Sequence, residues 1–161
     1  MPTNTEAMAI RNAEKRDINQ LKTVVDSSGL FPSEYLEEMM SDYLENEATE
    51  DIWFAKEQEG EIVAIGYCAP EKFTEGTYNL LAIGVLKKQQ GQGIGKEMMD
   101  YIERILKEQS NRLLIVETSG TDEFELTRKF YLKLGYNLEA TIRDFWTEGD
   151  DKVIFRKKLL P

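Results

Sequence analysis

The feature that most constrains this chain is an apolar run of strand length followed by glycines and then by helical periodicity. Residues 78–85 form the apolar run, and Gln90-Gly91-Gln92-Gly93-Ile94-Gly95-Lys96 follows it. The next apolar residues recur with the three- and four-residue spacing of one helix face. They are Ile94, Met98, Met99, Ile102, Ile105 and Leu106. The spacing therefore predicts a strand, a glycine loop and the first turn of a helix, in that order.

This arrangement favours an anion site. The first backbone N–H groups of a helix have no partner within the helix, and the helix dipole places partial positive charge there. Glycines let the backbone approach a ligand closely, so phosphate groups commonly bind at such a junction. Lys87, Lys88 and Lys96 add positive charge around the loop.

Three nucleotide-binding loops can be compared with this spacing. A Walker A loop requires a hydroxyl residue after its lysine, whereas Glu97 follows Lys96. A Rossmann fingerprint requires its third glycine one residue later than Gly95. A third pattern, Gln-x-x-Gly-x-Gly, fits residues 90–95, and an ordinary glycine-rich turn remains the alternative.

A second segment makes the third pattern specific. Residues 124–136 predict a helix that carries Phe130-Tyr131 and ends at Gly135-Tyr136. The glycine loop and this segment resemble the two signatures of the GNAT superfamily of N-acetyltransferases, in the same order and with a strand between them. The resemblance covers roughly residues 8–160.

The order of elements predicts an α/β (α+β) protein, and the resemblance implies the GNAT fold. That fold has a mixed central sheet of about seven strands with helices on both faces. Its two splayed parallel strands correspond to residues 78–85 and 112–117. We expect one domain over residues 1–161, with residues 1–6 flexible. The other predicted strands are residues 7–11, 52–56, 62–69, 137–142 and 152–159, with a loop at 143–151.

Composition excludes several classes of function. The formal net charge is −10, which argues against a nucleic-acid partner. The sequence has no run of 18 apolar residues and no basic start followed by an apolar stretch, so we expect neither a membrane span nor a signal peptide. Cys68 is the only cysteine and histidine is absent, which favours a cytoplasmic protein without a metal site. Cys68 itself lies in an apolar run and is expected to be buried.

The resemblance implies transfer of an acetyl group from acetyl-CoA to a primary amine of a small molecule, an amino acid or a peptide. Attack would be direct, in a ternary complex. The backbone of the glycine loop would bind the pyrophosphate, and the end of the preceding strand would pair with the pantetheine arm. The residues implied in cofactor binding are Ile83, Gly84, Val85, Gln90, Gly91, Gln92, Gly93, Ile94, Gly95 and Lys96. Tyr131 would protonate the leaving sulfur as a general acid.

The general base is less clearly marked, because residues 78–85 contain no acid. Glu117, at the end of the neighbouring parallel strand, is the first candidate, and Glu75 is a second. Phe145 and Trp146 either contact the acceptor or cover the core. Two other functions stay open: a non-catalytic acyl-CoA-binding sensor and an acetyltransferase for protein lysines or N-termini. A homodimer is compatible with the resemblance.

Overall fold

The computed structural model describes residues 9–161. The expectation for residues 1–6 and the first two residues of the predicted first strand lie outside this part of the chain. The strands are β1 (Ile10–Asn12), β2 (Ile52–Gln58), β3 (Glu61–Pro70), β4 (Thr77–Val85), β5 (Leu113–Ser119), β6 (Asn137–Thr147) and β7 (Asp150–Lys158). The helices are α1 (Ile18–Ser28), α2 (Leu36–Glu45), α3 (Ile94–Glu108) and α4 (Glu125–Lys133).

Within residues 9–161 the strands form a seven-stranded sheet in the order β1-β2-β3-β4-β5-β7-β6. The sheet is mixed: β4 and β5 are parallel, whereas β1–β2, β2–β3, β5–β7 and β6–β7 are antiparallel. The predicted class, a mixed seven-stranded sheet with helices, is confirmed.

The described chain separates into two compact units. The first contains residues up to Ala69 together with Ala82–Ile102, and the second contains Pro70–Leu81 and residues from Glu103 onward. β4 is therefore shared, because its first five residues belong to the second unit and its last four to the first.

The core of the first unit is built from the apolar faces that the periodicity of its helices and strands predicts. Leu21, Val24, Val25, Leu36, Met40, Trp53, Phe54, Ile65, Met98 and Met99 are all fully buried. Cys68 is fully buried as well, as expected from its apolar run. The core of the second unit contains Leu114, Val116, Tyr131, Tyr136 and Phe155.

The parallel pairing of β4 with β5 covers four residues of each strand. Thr77–Leu80 pair with Leu113–Val116. Both strands continue beyond this ladder, to Val85 and to Ser119. β5 goes on pairing with β7 as far as Ser119 and Lys152.

The loop predicted at residues 143–151 is wrong, because most of these residues belong to the last two strands. β6 extends to Thr147 and β7 begins at Asp150, so the connection is short. Phe145, Trp146 and Thr147 are residue types that favour strands. Asp144 takes a positive φ of 56° and its Oδ1 accepts the N–H of Gly149, which closes the hairpin.

Candidate active site

The glycine loop lies in the first unit and connects a strand to a helix, as the sequence predicts. Leu86 N–H donates to Val63 O at 2.8 Å, and residues Lys87–Gln89 form one 3-10 turn. Gly91 and Gly93 have φ values of 81° and 82°, which favour glycine. No heavy atom lies within 4 Å of where a Cβ would stand at either position, so the loop is open on that side.

α3 begins directly after these glycines. Its first backbone hydrogen bond runs from Glu97 N–H to Gly93 O at 3.1 Å. The N–H groups of Ile94 and Gly95 precede this bond and have no partner within the helix. Together with the open loop, these donors fit a phosphate group.

The Gln90 side chain makes a hydrogen bond within the protein. Its Nε2 donates to Val85 O at 3.1 Å, which ties the loop back to the end of β4. The backbone N–H of Gln90 also donates within the protein, to Lys87 O at 3.3 Å.

Gly84 is required by packing inside the first unit. A Cβ at this position would stand 2.6 Å from Ser28 Oγ and 2.7 Å from Leu30 Cδ1. Such distances are too short for real contacts, so the side chains of Ser28 and Leu30 would have to shift to admit a Cβ here. Ile83 and Val85, on either side, are partly exposed.

Two of the three lysines of the loop region, Lys88 and Lys96, are paired with acids. Lys88 Nζ lies 3.2 Å from Glu61, and Lys96 Nζ lies 2.8 Å from Asp100, with all four side chains more than half exposed. Lys56 on β2 differs, because it forms an ion pair with Glu97 while only 2% of its side chain is exposed. Sequence reasoning missed Lys56, whose position in a short strand gives no signal of a partner 41 residues away.

Glu117 lies in the second unit, at the centre of a polar network. Asn79 Nδ2 donates to Glu117 Oε1 at 2.9 Å and to Glu71 Oε1 at 2.8 Å. Lys152 Nζ lies 2.6 Å from Glu117 Oε2. Because both amide hydrogens go to carboxylates, the orientation of the Asn79 side chain is fixed, and its Oδ1 is buried without a partner. Glu75, the second candidate base, is exposed in the turn before β4.

Phe145 and Trp146 flank the same lysine. Lys152 Nζ lies 4.1 Å from the centre of the Phe145 ring and 5.9 Å from that of Trp146. Trp146 Nε1 donates to Thr118 O, one residue beyond Glu117. Both rings are about half exposed, so they do not cover a core. Carboxylate, ammonium and two aromatic faces therefore meet at one place in this unit.

Tyr131 belongs to an aromatic cluster of the second unit. Its ring centroid lies 5.6 Å from that of Tyr136 and 5.7 Å from that of Phe155, and the residue is 3% exposed. Burial raises the pKa of the Tyr131 phenol well above its ordinary value. The phenol therefore stays protonated at neutral pH and can act as a donor, while its ring contributes to the core.

The described part of the chain shows neither a metal-binding cluster nor a membrane-spanning helix. Between residues 9 and 161, no three His, Cys, Asp or Glu side chains are arranged to hold a metal ion. None of the described helices is both long enough and apolar enough to cross a membrane.

A mixed sheet with a glycine loop between its fourth strand and the following helix defines an α/β protein. The model of the Acetyltransferase (GNAT) family matches residues 21–136, and the chain belongs to this family. It is accordingly an acetyltransferase. No curated protein sequence matches the chain.

Solved structures agree with this assignment. A GNAT-family protein from Desulfovibrio desulfuricans is 28% identical, with a TM-score of 0.87 over 96% of this chain and 100% of that chain. The ribosomal-protein-S18-alanine N-acetyltransferase of Escherichia coli is 18% identical, with a TM-score of 0.79 over 96% and 95%. An aminoglycoside 6'-N-acetyltransferase complexed with coenzyme A is 20% identical, with a TM-score of 0.76 over 96% and 98%. The last two share the fold with this chain.

Proposed function

We propose that this chain transfers the acetyl group of acetyl-CoA to a primary amine of a small molecule, an amino acid or a peptide. The observation that carries the proposal is the open glycine loop at the start of α3, in a chain of the GNAT family. Backbone N–H groups of residues 91–96 would hold the pyrophosphate. The edge of β4 beyond Leu80, where the ladder with β5 has ended, would pair with the extended pantetheine arm.

Acetyl-CoA supplies an already activated thioester, so the chain needs no covalent intermediate. Cys68 is a poor nucleophile, because it is fully buried and burial raises the pKa of its thiol well above the ordinary value. Direct attack by the acceptor nitrogen on the thioester carbon is the simpler course: an N–C bond forms and the C–S bond breaks.

Glu117 is the residue we assign to accept the proton from the acceptor ammonium. Asn79 and Lys152 each occupy one lone pair of its carboxylate. A carboxylate has about four acceptor positions, so roughly two remain for an acceptor amine or a bridging water. Phe145 and Trp146 already hold the Lys152 cation, and the same aromatic faces suit the cationic end of an amine.

Tyr131 is the residue we assign to protonate the leaving sulfur. A phenol is protonated at neutral pH, and burial raises the pKa of this one further, so it is in the donor form. Two kinds of similar enzyme are named for their acceptors, an alanine of ribosomal protein S18 and aminoglycosides. Both kinds of acceptor carry amines, which supports an amine acceptor here without selecting one.

Release of the CoA thiol in the presence of an amine panel tests the proposal. The panel should contain an aminoglycoside, an amino-acid amide, a peptide with a free N-terminal alanine and a peptide with an internal lysine. Turnover with the small amines supports the proposal, whereas turnover confined to the lysine peptide would assign protein acetylation instead. Calorimetric binding of CoA without turnover of any acceptor would make the chain a sensor.

Two substitutions test the residue roles. Glu117→Gln should lower kcat/KM by about 10²–10⁴. Tyr131→Phe should lower kcat with little change in KM for the amine. Glu125→Gln and Tyr35→Phe are the controls, since both residues are exposed, at 59% of the side chain and 52% of the residue. If Tyr131→Phe leaves kcat unchanged from pH 6 to 9, the general-acid role is wrong.

A further inference from the structure

Lys56 is a buried cation with a poorly buried partner. Its side chain is 2% exposed, whereas that of Glu97 is 50% exposed. The pair therefore removes the ammonium from water while the carboxylate keeps about half of its contact with solvent. Such an arrangement is unfavourable for stability, because desolvation of the ammonium is only partly offset by a solvated counter-charge.

The acidic partner of this pair stands at the start of α3. Glu97 is in the first turn of α3, and its N–H makes the first hydrogen bond of the helix, to Gly93. A helix N-terminus carries partial positive charge and disfavours a nearby cation. Lys56 therefore neutralises the carboxylate of Glu97, which stands in the first turn after the glycine loop and would otherwise oppose an anion there.

The exposed lysines of the loop region contribute less to the potential at the loop. Lys88 and Lys96 are each paired with an exposed acid, and salt screens exposed charges strongly. A buried charge acts through a medium of lower dielectric and is screened less. In a chain of net charge −10, Lys56 is a buried cation whose pairing keeps Glu97 from repelling an anionic ligand at the loop.

We propose that Lys56 is a positioning residue for the acetyl donor: its buried ammonium, paired with Glu97 in the first turn of α3, strengthens binding of the donor's diphosphate at the glycine loop. This inference rests on the function proposed above. It adds a residue on β2, outside the loop, to the determinants of donor affinity.

The two partners of the ion pair should have opposite effects on donor binding. Lys56→Met keeps the length of the side chain and removes the charge, so the Kd for CoA should rise about tenfold. The variant should remain as stable as the wild type or become more stable. Glu97→Gln removes the counter-charge, so CoA should bind several-fold more tightly while the chain becomes less stable. A bridge with a purely structural role would weaken binding in both variants.

Isothermal titration calorimetry with CoA and with pantetheine, which has no phosphate, measures these effects, and urea denaturation measures stability. Lys22→Met and Glu37→Gln are the matched controls, because Lys22 and Glu37 form an ion pair at 2.6 Å in the same unit, away from the loop. Both controls should bind CoA like the wild type. The affinity for pantetheine should be equal in all five proteins.

Wild-type affinity for CoA in Lys56→Met overturns the inference, and so does weaker binding in Glu97→Gln. An equal loss for pantetheine also overturns it, because the effect would then not depend on phosphate. If Lys56→Met does not fold, the direction of the change in Glu97→Gln decides the question. Failure of the wild type to bind CoA at all would refute the proposed function itself, which distinguishes the two failures.

Discussion

Asn79→Asp is the substitution that most directly tests the network around Glu117. The change is isosteric, and it replaces the Nδ2 group, which donates to Glu71 at 2.8 Å and to Glu117 at 2.9 Å, by an oxygen. A buried amide that holds two carboxylates would become a third carboxylate facing both of them. Asn79 is 5% exposed, so water can relieve little of the repulsion.

The expected loss of stability follows from these distances. Two unit charges about 4 Å apart at an effective dielectric of about 20 repel each other by about 4 kcal/mol. The introduced carboxyl has two such neighbours, so it should take up a proton. Protonation at pH 7 of a group whose ordinary pKa is about 3.9 costs about 4 kcal/mol, and this is the upper limit of the loss of stability. The Lys152 ammonium on Glu117 reduces the repulsion, so we expect a loss of about 2–4 kcal/mol at pH 7.

The pH dependence has a definite sign. The introduced carboxyl should have a pKa in the folded chain above that in the unfolded chain. Its penalty is therefore small below about pH 4, grows as the pH rises and is constant above the folded pKa. At low pH a smaller penalty remains. A protonated carboxyl has one hydrogen to donate where the amide has two, and the missing hydrogen bond costs about 1 kcal/mol.

Urea denaturation of the wild type and the variant between pH 4 and pH 8 measures this difference. Asn137→Asp is the control, since Asn137 is exposed on β6 and the same change there should cost less than about 0.5 kcal/mol at every pH. A loss for Asn79→Asp that does not vary with pH would refute the electrostatic reasoning. A loss below about 1 kcal/mol at pH 7 would show that Asn79 does not hold the two carboxylates in solution.

Two further substitutions test packing and charge in the first unit. Gly84→Ala should destabilise the chain by about 1–3 kcal/mol, because the new Cβ would meet Ser28 and Leu30; an unchanged Tm would contradict this reason for the glycine. Asp17→Asn should destabilise the chain at pH 7, because the hydrogen bond from Arg11 lowers the pKa of Asp17 and the ionised form is the stabilising one. That contribution is present above the unfolded pKa and is lost as the pH falls through the folded pKa, so the difference in urea midpoint should shrink in acid.

The sequence was most informative where local chemistry decides the structure. The glycine loop was predicted correctly because positive φ values at Gly91 and Gly93 and the apolar spacing of α3 depend on residues close together in the chain. Periodicity likewise predicts the buried faces of the helices. Strand order is a different matter, because the positions of β6 and β7 beside β5 depend on pairing between distant segments.

The end of β6 shows how a charged segment can mislead. Residues 143–151 contain acids, a glycine and a lysine, and this composition is typical of loops. In the structure the backbone bonds of β7 and the side chain of Asp144 bring most of them into a hairpin. Phe145 and Trp146 consequently stand on a strand, with their rings 4.1 and 5.9 Å from Lys152 Nζ.

Lys56 and Asn79 went unrecognised for a common physical reason. Each is a polar residue in a strand pattern, where a polar side chain usually marks the solvent face. Their partners, Glu97 and Glu117, lie 41 and 38 residues further along, so only the folded chain shows that both are buried and paired. Buried polar groups are costly for stability, and both pairs involve elements assigned to catalysis or donor binding. Burial of a charge or an amide where an apolar residue would be more stable is the observation that drew attention to Lys56 and Asn79, and local sequence cannot show it.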